Sequence, residues 1–397
     1  MSPEGEGGAS DLKSRAAALS AWLEPRRGEM VDLVTRLASA ESPSHEPERQ
    51  AAVFELLATE LEPAGFTVRT LRGRTSGGQL FARPARAGRA GYQLLLGHVD
   101  TVWPAGTLAT MPVRAEGGRL FGPGVFDMKG GLALAVFALA ALAALDFEPE
   151  LVPVLFLNSD EELGSPDSAR RIRRLARQAR RALVLEPAFG PEGRSKTERK
   201  GVGRFTVRAF GRSAHAGLAP ETGASAIREI ARAIERLAAL DDPARGTTIN
   251  VGVVAGGTRA NVVAALARAE VDLRFADARA GAEAEREILS LAPTLPGVRI
   301  EISGGIERPP LVRTARNGEL FARAVECALA LGFDLGEAAV GGGSDGNFAS
   351  PLTATLDGLG AVGGGAHAAD EHLEIDRLPE RAALLALLLL APDSSAV

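Results

Sequence analysis

Residues 92–100 read YQLLLGHVD, a short continuous apolar run that ends in a histidine and an aspartate. A run of this length, flanked by Gly91 and Gly97, is typical of a β-strand that is buried on both faces. The segments LVPVLFLN at 151–158 and ALVLE at 182–186 have the same character. Because helical patterns alternate with these runs, the sequence predicts an α/β domain with a mainly parallel sheet and helices on both faces.

A different pattern begins near residue 201, where apolar and polar residues alternate as they do in half-exposed antiparallel strands. Strands of this kind are expected at 203–211, 250–256, 265–277 and 298–303. Helical spacing fills the gaps at 223–240 and 281–292. The resulting order, strand-helix-strand-strand-helix-strand, is that of the ferredoxin-like split motif. We therefore expect an inserted α+β domain.

The inserted domain is expected at 201–310, which leaves a discontinuous catalytic domain at 1–200 and 311–397. The catalytic domain is expected to begin with one long helix over 11–40, because apolar residues recur there at helical spacing.

Composition excludes several classes of protein. The 397 residues contain 46% hydrophobic residues, which argues against disorder, and a single cysteine, Cys327, which excludes a disulfide scaffold. With 45 Lys and Arg against 50 Asp and Glu, the net charge is −5, and aromatics are only 5%, so we expect no nucleic-acid partner.

Membrane insertion is not expected either. The longest apolar run, 132–145, is shorter than the ~20 residues that a spanning helix needs. The N-terminus MSPEGEGGAS lacks the basic and apolar regions of a secretory signal, so a cytoplasmic location is expected.

Side chains with catalytic chemistry follow each of the buried strands. The candidates, in chain order, are His98 and Asp100, Asp160 to Glu162, and Glu186. Asp127 lies in a glycine-rich loop before the apolar helix, and His367 follows three glycines near the end of the chain. Because ligands of open α/β sheets bind outside the carboxyl ends of the strands, these groups are expected to form one site.

A divalent metal would remove the repulsion among these carboxylates. Two imidazoles with several carboxylates suit zinc, cobalt or manganese better than calcium, and the absence of cysteine from the cluster argues against a structural zinc site. The carboxylates are too many for one tetrahedral ion, so two metals bridged by one carboxylate account for them better.

The ordered set of motifs resembles the di-zinc metallopeptidase family of glutamate carboxypeptidase, acetylornithine deacetylase, succinyl-diaminopimelate desuccinylase and aminoacylase. Within that family the chain looks most like bacterial glutamate carboxypeptidase. The matching segments are 97–102, 122–131, 160–165, 185–187, 211–217 and 363–367.

The resemblance implies a role for each matching residue. Five residues would be metal ligands: His98, Asp127 (bridging), Glu162, Glu186 and His367. Glu161 would be the general base, and Asp100 would orient His98. The inserted domain would serve as a lid and dimerisation domain, and its His215 would reach the partner subunit's site to stabilise the oxyanion. Candidates for holding the substrate are Asn261, Arg274, Arg308 and Lys200.

The function implied is zinc-dependent hydrolysis of an amide bond next to a C-terminal amino acid. A metal-bridging hydroxide would attack, with Glu161 as the base and two Zn²⁺ per subunit, for which Co²⁺ or Mn²⁺ could substitute. The substrate would be a small peptide or an N-acyl amino acid, and the enzyme a homodimer. A deacylase or dipeptidase on the same site is the alternative, and a non-catalytic metal-binding scaffold is a more distant one.

Overall fold

The three predicted buried strands lie side by side in a computed structural model of the protein. The structure describes residues 3–86 and 91–392. The chain divides into two units. Apart from the undescribed residues, the first contains the chain up to Glu198, Arg313–Ala339, and the chain from Ser344 onward; the second contains Arg199–Val312 and Val340–Gly343.

The described ranges contain ten α-helices and sixteen β-strands. The helices are α1 Pro3–Leu23, α2 Arg27–Ser39, α3 Ala51–Leu61, α4 Gly130–Ala144, α5 Ala169–Ala176, α6 Ala226–Ala238, α7 Ala278–Leu289, α8 Ala315–Leu331, α9 Gly346–Ala349 and α10 Leu378–Leu390. The strands are β1 Phe66–Leu71, β2 Gln79–Pro84, β3 Tyr92–His98, β4 Arg114–Glu116, β5 Arg119–Phe121, β6 Val152–Asn158, β7 Arg181–Val184, β8 Ser195–Arg199, β9 Gly201–Phe210, β10 Thr248–Gly256, β11 Leu266–Phe275, β12 Arg299–Arg308, β13 Glu337–Val340, β14 Ala354–Leu356, β15 Gly363–Gly364 and β16 His372–Glu374.

The central sheet of the first unit has the strand order β1-β2-β6-β3-β7-β14. Strand β3 pairs in parallel with β6 and β7, and β14 pairs in parallel with β7. The β1–β2 hairpin adds two strands through antiparallel pairing with β6. The mixed α/β class is confirmed. The hairpin was not predicted, because Arg69 and Arg83 interrupt its apolar runs.

The middle of each central strand is apolar because both faces of the sheet are covered. Leu95 and Leu155 point into one core, together with the side chains of α4 and α10. Their neighbours Leu94 and Phe156 point to the other face, where Ile172 of α5 belongs to the same cluster. Alternate residues of one strand therefore fill two separate cores.

The apolar helix α4 lies in the larger core. The segment Val125–Ala144 is long and apolar enough to cross a membrane, but 89% of its most apolar window is buried inside the protein.

The single helix expected over 11–40 is wrong. Helix α1 ends at Leu23, a 3₁₀ turn covers Glu24–Arg26, and α2 begins at Arg27. Pro25 explains the break, because proline lacks an N–H and its ring clashes with the preceding helical turn.

The second unit contains one antiparallel sheet with the order β10-β11-β9-β12. Phe205 and Val207 of β9 and Leu273 of β11 form its core with residues of α6 and α7. Its bounds differ slightly from the predicted 201–310, because Val340–Gly343 belongs to it. The Lys200 amide donates to the Val340 carbonyl (3.1 Å), and the Arg199 guanidinium donates to the carbonyls of Gly342 and Gly343 (3.2 and 3.0 Å).

Arg381 of α10 is a fully buried cation in the first unit. Its guanidinium donates to the carbonyls of Gly193 (3.0 Å), Gly358 (2.7 Å) and Gly360 (3.1 Å). Gly360 in turn donates its amide to the Glu186 carbonyl (2.8 Å), so Arg381 supports the segment beside a candidate ligand.

Replacing Arg381 with methionine should lower the free energy of unfolding by about 3 kcal/mol or more, because three buried carbonyls lose their donor. Urea unfolding followed by circular dichroism measures the change. Arg323→Met is the matched control, since Arg323 forms an exposed helical ion pair with Glu326 that is worth under ~0.5 kcal/mol. Equal effects of the two substitutions would contradict this role for Arg381.

Candidate metal centre

The sheet itself brings three of the predicted ligands to one edge. His98 is the last residue of β3, Glu162 follows the end of β6, and Glu186 follows the end of β7. These three strands are neighbours and run in the same direction. Their carboxyl ends therefore meet at one edge of the sheet, the usual place for a ligand site in an open α/β sheet.

Asp127 lies between the two imidazoles. Its Oδ1 is 3.3 Å from Nε2 of His98, and its Oδ2 is 3.4 Å from Nε2 of His367. A further carboxylate completes each side: Glu186 Oε1 is 3.6 Å from His98 Nε2, and Glu162 Oε1 is 3.2 Å from His367 Nε2. One oxygen of Asp127 therefore faces His98, which has Glu186 beside it. The other oxygen faces His367, which has Glu162 beside it.

Two triads have potential ligand atoms within 4.8 Å of one another. They are His98 with Asp127 and Glu162, and His98 with Glu161 and Glu186. The structure therefore brings together all seven residues predicted for the first unit. It contains enough imidazole and carboxylate donors for more than one divalent ion.

Glycine allows the close approach of the Asp127 loop to the sheet. A Cβ at Gly131, in the first turn of α4, would lie only 2.0 Å from the carbonyl oxygen of Leu185, which precedes Glu186. Any other residue would push α4 away from β7. His367 itself has a φ of 62°, which is uncommon for a residue other than glycine, and its side chain is 49% exposed.

Asp100 supports the site without facing a second imidazole. It is fully buried, and its Oδ1 lies 3.4 Å from Nδ1 of His98. Its carboxylate also accepts the amides of Glu161 (3.2 Å) and Glu162 (3.3 Å) and the hydroxyl of Ser44 (2.8 Å). One buried side chain therefore contacts the ring of one candidate ligand and the backbone that carries another.

The crowding of acids and imidazoles shifts their pKa values strongly. Burial alone would lower the pKa of His98, but hydrogen bonds with Asp100 and Asp127 raise it well above its ordinary value. Hydrogen bonds with Asp127 and Glu162 raise the pKa of His367 to about 10. Burial, with the nearby charge of Asp127, raises the pKa of Glu162 to about 8 although His367 opposes the shift.

Asp127 responds in the opposite direction. Burial would raise its pKa, but hydrogen bonds from His367 and His98 outweigh burial and lower the pKa. In the absence of a metal, protons on the imidazoles therefore balance the carboxylates, and a divalent cation would take over that role.

The remaining predicted residues belong to the second unit. His215 is exposed, and its Nδ1 accepts the amides of Gly217 and Leu218 (both 3.1 Å), which places the ring proton on Nε2. Asn261 lies next to it, since its carbonyl accepts the Ala216 amide (3.0 Å). Lys200 lies between β8 and β9.

Arg274 and Arg308 lie on one row of the second sheet, because both are paired opposite Val202 from its two sides. Arg308 is buried. The guanidinium of Arg274 is engaged by Asp272 of its own strand, through Nε (2.7 Å) and Nη2 (2.9 Å). This fork-shaped contact had not been expected from the sequence.

Three residues around the centre were missed by sequence reasoning: Ser44, Trp103 and Glu371. Ser44 contacts Asp100, and Trp103 donates its indole N–H to Glu371 (2.7 Å). None of them carried a periodicity or spacing signal. The one available hint was an acidic residue, Glu371, directly after the loop of His367.

The metal-free protein should become less stable as pH rises from 6.5 to 10. The raised pKa values of His98 and His367 contribute stability below about pH 6.5 that is lost as pH rises through the folded values. Glu162 acts in the same direction, since it holds a proton up to about pH 8 in the folded state only. Asp127 contributes no slope in this range, because its pKa is lowered. Lys129 opposes part of the decline, because burial lowers its pKa to about 7.

Urea unfolding in the presence of a chelator, repeated across this pH range, measures the slope. His367→Gln is the matched control and should flatten it. A slope unchanged by that substitution would show that the decline comes from other groups.

The sequence comparisons agree with this geometry. Residues 94–391 match the model of peptidase family M20/M25/M40. The chain is 30% identical over 372 residues to carboxypeptidase G2 of Pseudomonas sp. (strain RS-16), covering 91% of this chain and 88% of that protein. It is 33% identical over 377 residues to succinyl-diaminopimelate desuccinylase of Cereibacter sphaeroides, covering 87% and 95%.

The fold is also that of a solved metallo-carboxypeptidase structure. An M20 family metallo-carboxypeptidase of Sulfolobus solfataricus superposes with a TM-score of 0.73 at 18% identity, covering 91% of this chain and 99% of that one. The chain is therefore a hydrolase that belongs to the M20/M25/M40 family of metallopeptidases.

Proposed function

We propose that this chain is a di-zinc carboxypeptidase that removes a C-terminal amino acid, such as glutamate, from a small peptide or an N-acyl amino acid. The observation that carries the proposal is the position of Asp127. Its two oxygens face two different imidazoles, at 3.3 and 3.4 Å, and each imidazole has a further carboxylate beside it. This is the donor arrangement for two ions that share one carboxylate.

The donor set fits two zinc ions. His98, Glu186 and Asp127 would hold one, and His367, Glu162 and Asp127 the other. Imidazole nitrogen with carboxylate oxygen suits zinc, and cobalt or manganese could replace it. When bound, the ions would lower the pKa of a water molecule and polarise the scissile carbonyl.

Glu161 is proposed to move the proton. Its carboxylate lies in the triad with His98 and Glu186, and its backbone is fixed by the carboxylate of Asp100. Glu161 would accept a proton as the water oxygen bonds to the carbonyl carbon. It would then deliver that proton to the amine nitrogen as the carbon–nitrogen bond breaks.

Residues of the second unit are proposed to bind the substrate. His215 carries its proton on the outward Nε2, which suits a hydrogen bond to the oxyanion, and Asn261 lies beside it. Arg274, Arg308 and Lys200 supply positive charge for the free carboxylate of the substrate. At Arg274 the substrate would compete with Asp272, which occupies the same guanidinium fork.

A deacylase or a dipeptidase is the alternative on the same centre. It is supported by the 33% identity to a desuccinylase, which is no lower than the identity to carboxypeptidase G2. The metal ligands serve both reactions equally, so substrate profiling distinguishes them. Zinc-loaded protein should be assayed against folate-type glutamates, N-acyl amino acids and dipeptides; hydrolysis of none of them would favour a metal-binding scaffold.

Replacing Glu161 with alanine should retain the bound metal and reduce kcat by several orders of magnitude. General-base catalysis alone contributes ~10²–10⁴-fold. Metal content by atomic emission and turnover of the best substrate are the two measurements. Glu55→Ala, on the exposed face of α3, is the control. Near-normal turnover in Glu161→Ala would contradict the proposed base.

A homodimer formed through the second unit is part of the proposal. Strand β10 lies at one edge of its sheet, and Val253 and Val254 on it are 49% and 54% exposed. Ile227 of α6, which packs beside β10, and Leu266 are also exposed. An apolar edge strand invites pairing with another strand, and a second copy of the same edge would cover it. His215 could then serve the partner subunit's site.

Replacing Val254 with lysine should convert the dimer to a monomer, because charge on an edge strand opposes pairing. Light scattering reports the mass, and turnover should fall with it if His215 acts across the dimer. Arg208→Lys, which keeps the charge elsewhere on the same sheet, is the control. A fully active monomeric Val254→Lys protein would contradict action in trans.

A further inference from the structure

Glu371 is a fully buried carboxylate near the candidate metal centre, and it is not one of the proposed metal ligands. Its two oxygens accept four N–H groups. Oε1 accepts the amides of Phe126 (3.0 Å) and Asp127 (3.1 Å), and Oε2 accepts the amide of Gly124 (3.0 Å) and the indole of Trp103 (2.7 Å). All of these groups lie in the first unit.

These contacts join three segments that carry proposed ligands. Trp103 follows His98 and Asp100 in the loop after β3, and Gly124 to Asp127 form the loop that ends in the bridging carboxylate. Glu371 itself closes the loop that contains His367, with its amide donating to Ala368 (2.9 Å). One side chain thus fixes the separation of segments that are distant in sequence.

The strand pairing explains why Glu371 can reach the Asp127 loop. Strands β5 and β16 are antiparallel neighbours, with His372 opposite Phe121. The chain that leaves β5 toward Asp127 and the chain that enters β16 from His367 therefore lie at the same end of the pair. The Gly122 amide donates to the Glu371 carbonyl (3.2 Å) and continues this pairing into the loops.

The loop of Asp127 needs an external acceptor. Asp127 has a φ of −112° and a ψ of 95°, so it is not helical, and its amide has no place in a helical ladder. The amides of Gly124, Phe126 and Asp127 converge on the one carboxylate, and buried amides without an acceptor are costly. The position of Asp127 is therefore set by Glu371.

We propose that Glu371 is a positioning residue that holds Asp127 and His367 at the separation required by the metal ion between them. This inference rests on the proposed di-metal function. Two of that ion's proposed ligands, His367 and the shared Asp127, lie on loops that Glu371 contacts. The other ion would share only Asp127 with this group and would keep His98 and Glu186, whose positions follow from the ends of β3 and β7.

Glu371→Gln tests the proposal. Glutamine keeps the size but presents an NH₂ group to amides that need an acceptor, so at most half of the contacts survive. Zinc and cobalt binding should be measured by competition with a chromophoric chelator. The dissociation constant of the ion at His367 should rise 10–100-fold, the usual effect of losing a group that orients metal ligands. The dissociation constant of the ion at His98 and Glu186 should rise less, because Asp127 is its only ligand on a loop that Glu371 contacts.

Two comparisons separate positioning from a merely structural role. Glu374→Gln changes a carboxylate three residues away that pairs with Arg119, and it should leave both metal affinities unchanged. In a His367→Gln background the ion at His367 is already lost, so adding Glu371→Gln should cause only the smaller loss of affinity that acts through Asp127. A purely structural role would lower the melting temperature of Glu371→Gln while both affinities in the folded protein stayed the same.

Trp103→Phe serves if Glu371→Gln fails to fold, because it removes one donor from the same carboxylate. It should raise the dissociation constant of the ion at His367 by a few fold and that of the other ion less, and unchanged affinities would overturn the proposal.

The positioning role of Glu371 and the proposed hydrolysis can fail separately. Equal metal affinities in Glu371→Gln and the unsubstituted protein would overturn the positioning role while amide hydrolysis stood. If the unsubstituted protein bound two ions but hydrolysed no amide, the proposed function would fail, and the change in metal affinity would still decide the role of Glu371.

Discussion

The candidate metal centre of the first unit depends on a cluster of carboxylates that lies, largely buried, at the carboxyl ends of the parallel strands. Burial and mutual repulsion both oppose ionisation of these carboxylates, and burial, with the charge of Asp127, raises the pKa of Glu162. Two imidazoles moderate the repulsion through protons on His98 and His367. The same positions that attract protons in the metal-free protein suit divalent cations, so the electrostatic instability of the cluster and its affinity for metal have one cause.

Packing of apolar side chains brings these charged groups together. Parallel strands β6, β3 and β7 are covered on both faces, so polar side chains can emerge only where the strands end. Helix α4 approaches β7 closely because Gly131 has no side chain, and this brings the Asp127 loop to the same edge. The apolar cores thus determine where the acids meet, although no acid takes part in those cores.

Sequence reasoning identified the elements with strong periodicity and the residues with distinctive chemistry. The buried strand at 92–98 and the alternating strands of the second unit follow directly from their patterns. The β1–β2 hairpin escaped because it lies at a sheet edge, where burial is partial and arginines interrupt the apolar run. The break at Pro25 was missed because helical spacing continues on both sides of it. Pairings such as that of Arg274 with Asp272 depend on side-chain geometry within a strand, which a one-dimensional pattern does not specify.

Two buried carboxylates support the site: Asp100, which the sequence predicted as a partner of His98, and Glu371, which sequence reasoning missed. Asp100 accepts the amides of Glu161 and Glu162, and Glu371 accepts those of Gly124, Phe126 and Asp127. Both carboxylates therefore act on backbone atoms, which every residue possesses, so the contacted positions have no sequence signature. Backbone anchoring restrains a ligand-bearing loop more than a contact to a mobile side chain would, because it fixes the main chain from which the ligand projects. Two buried acids outside the proposed ligand set thus hold the loops of the proposed ligands in place before any ion binds, which lowers the ordering that metal binding has to supply.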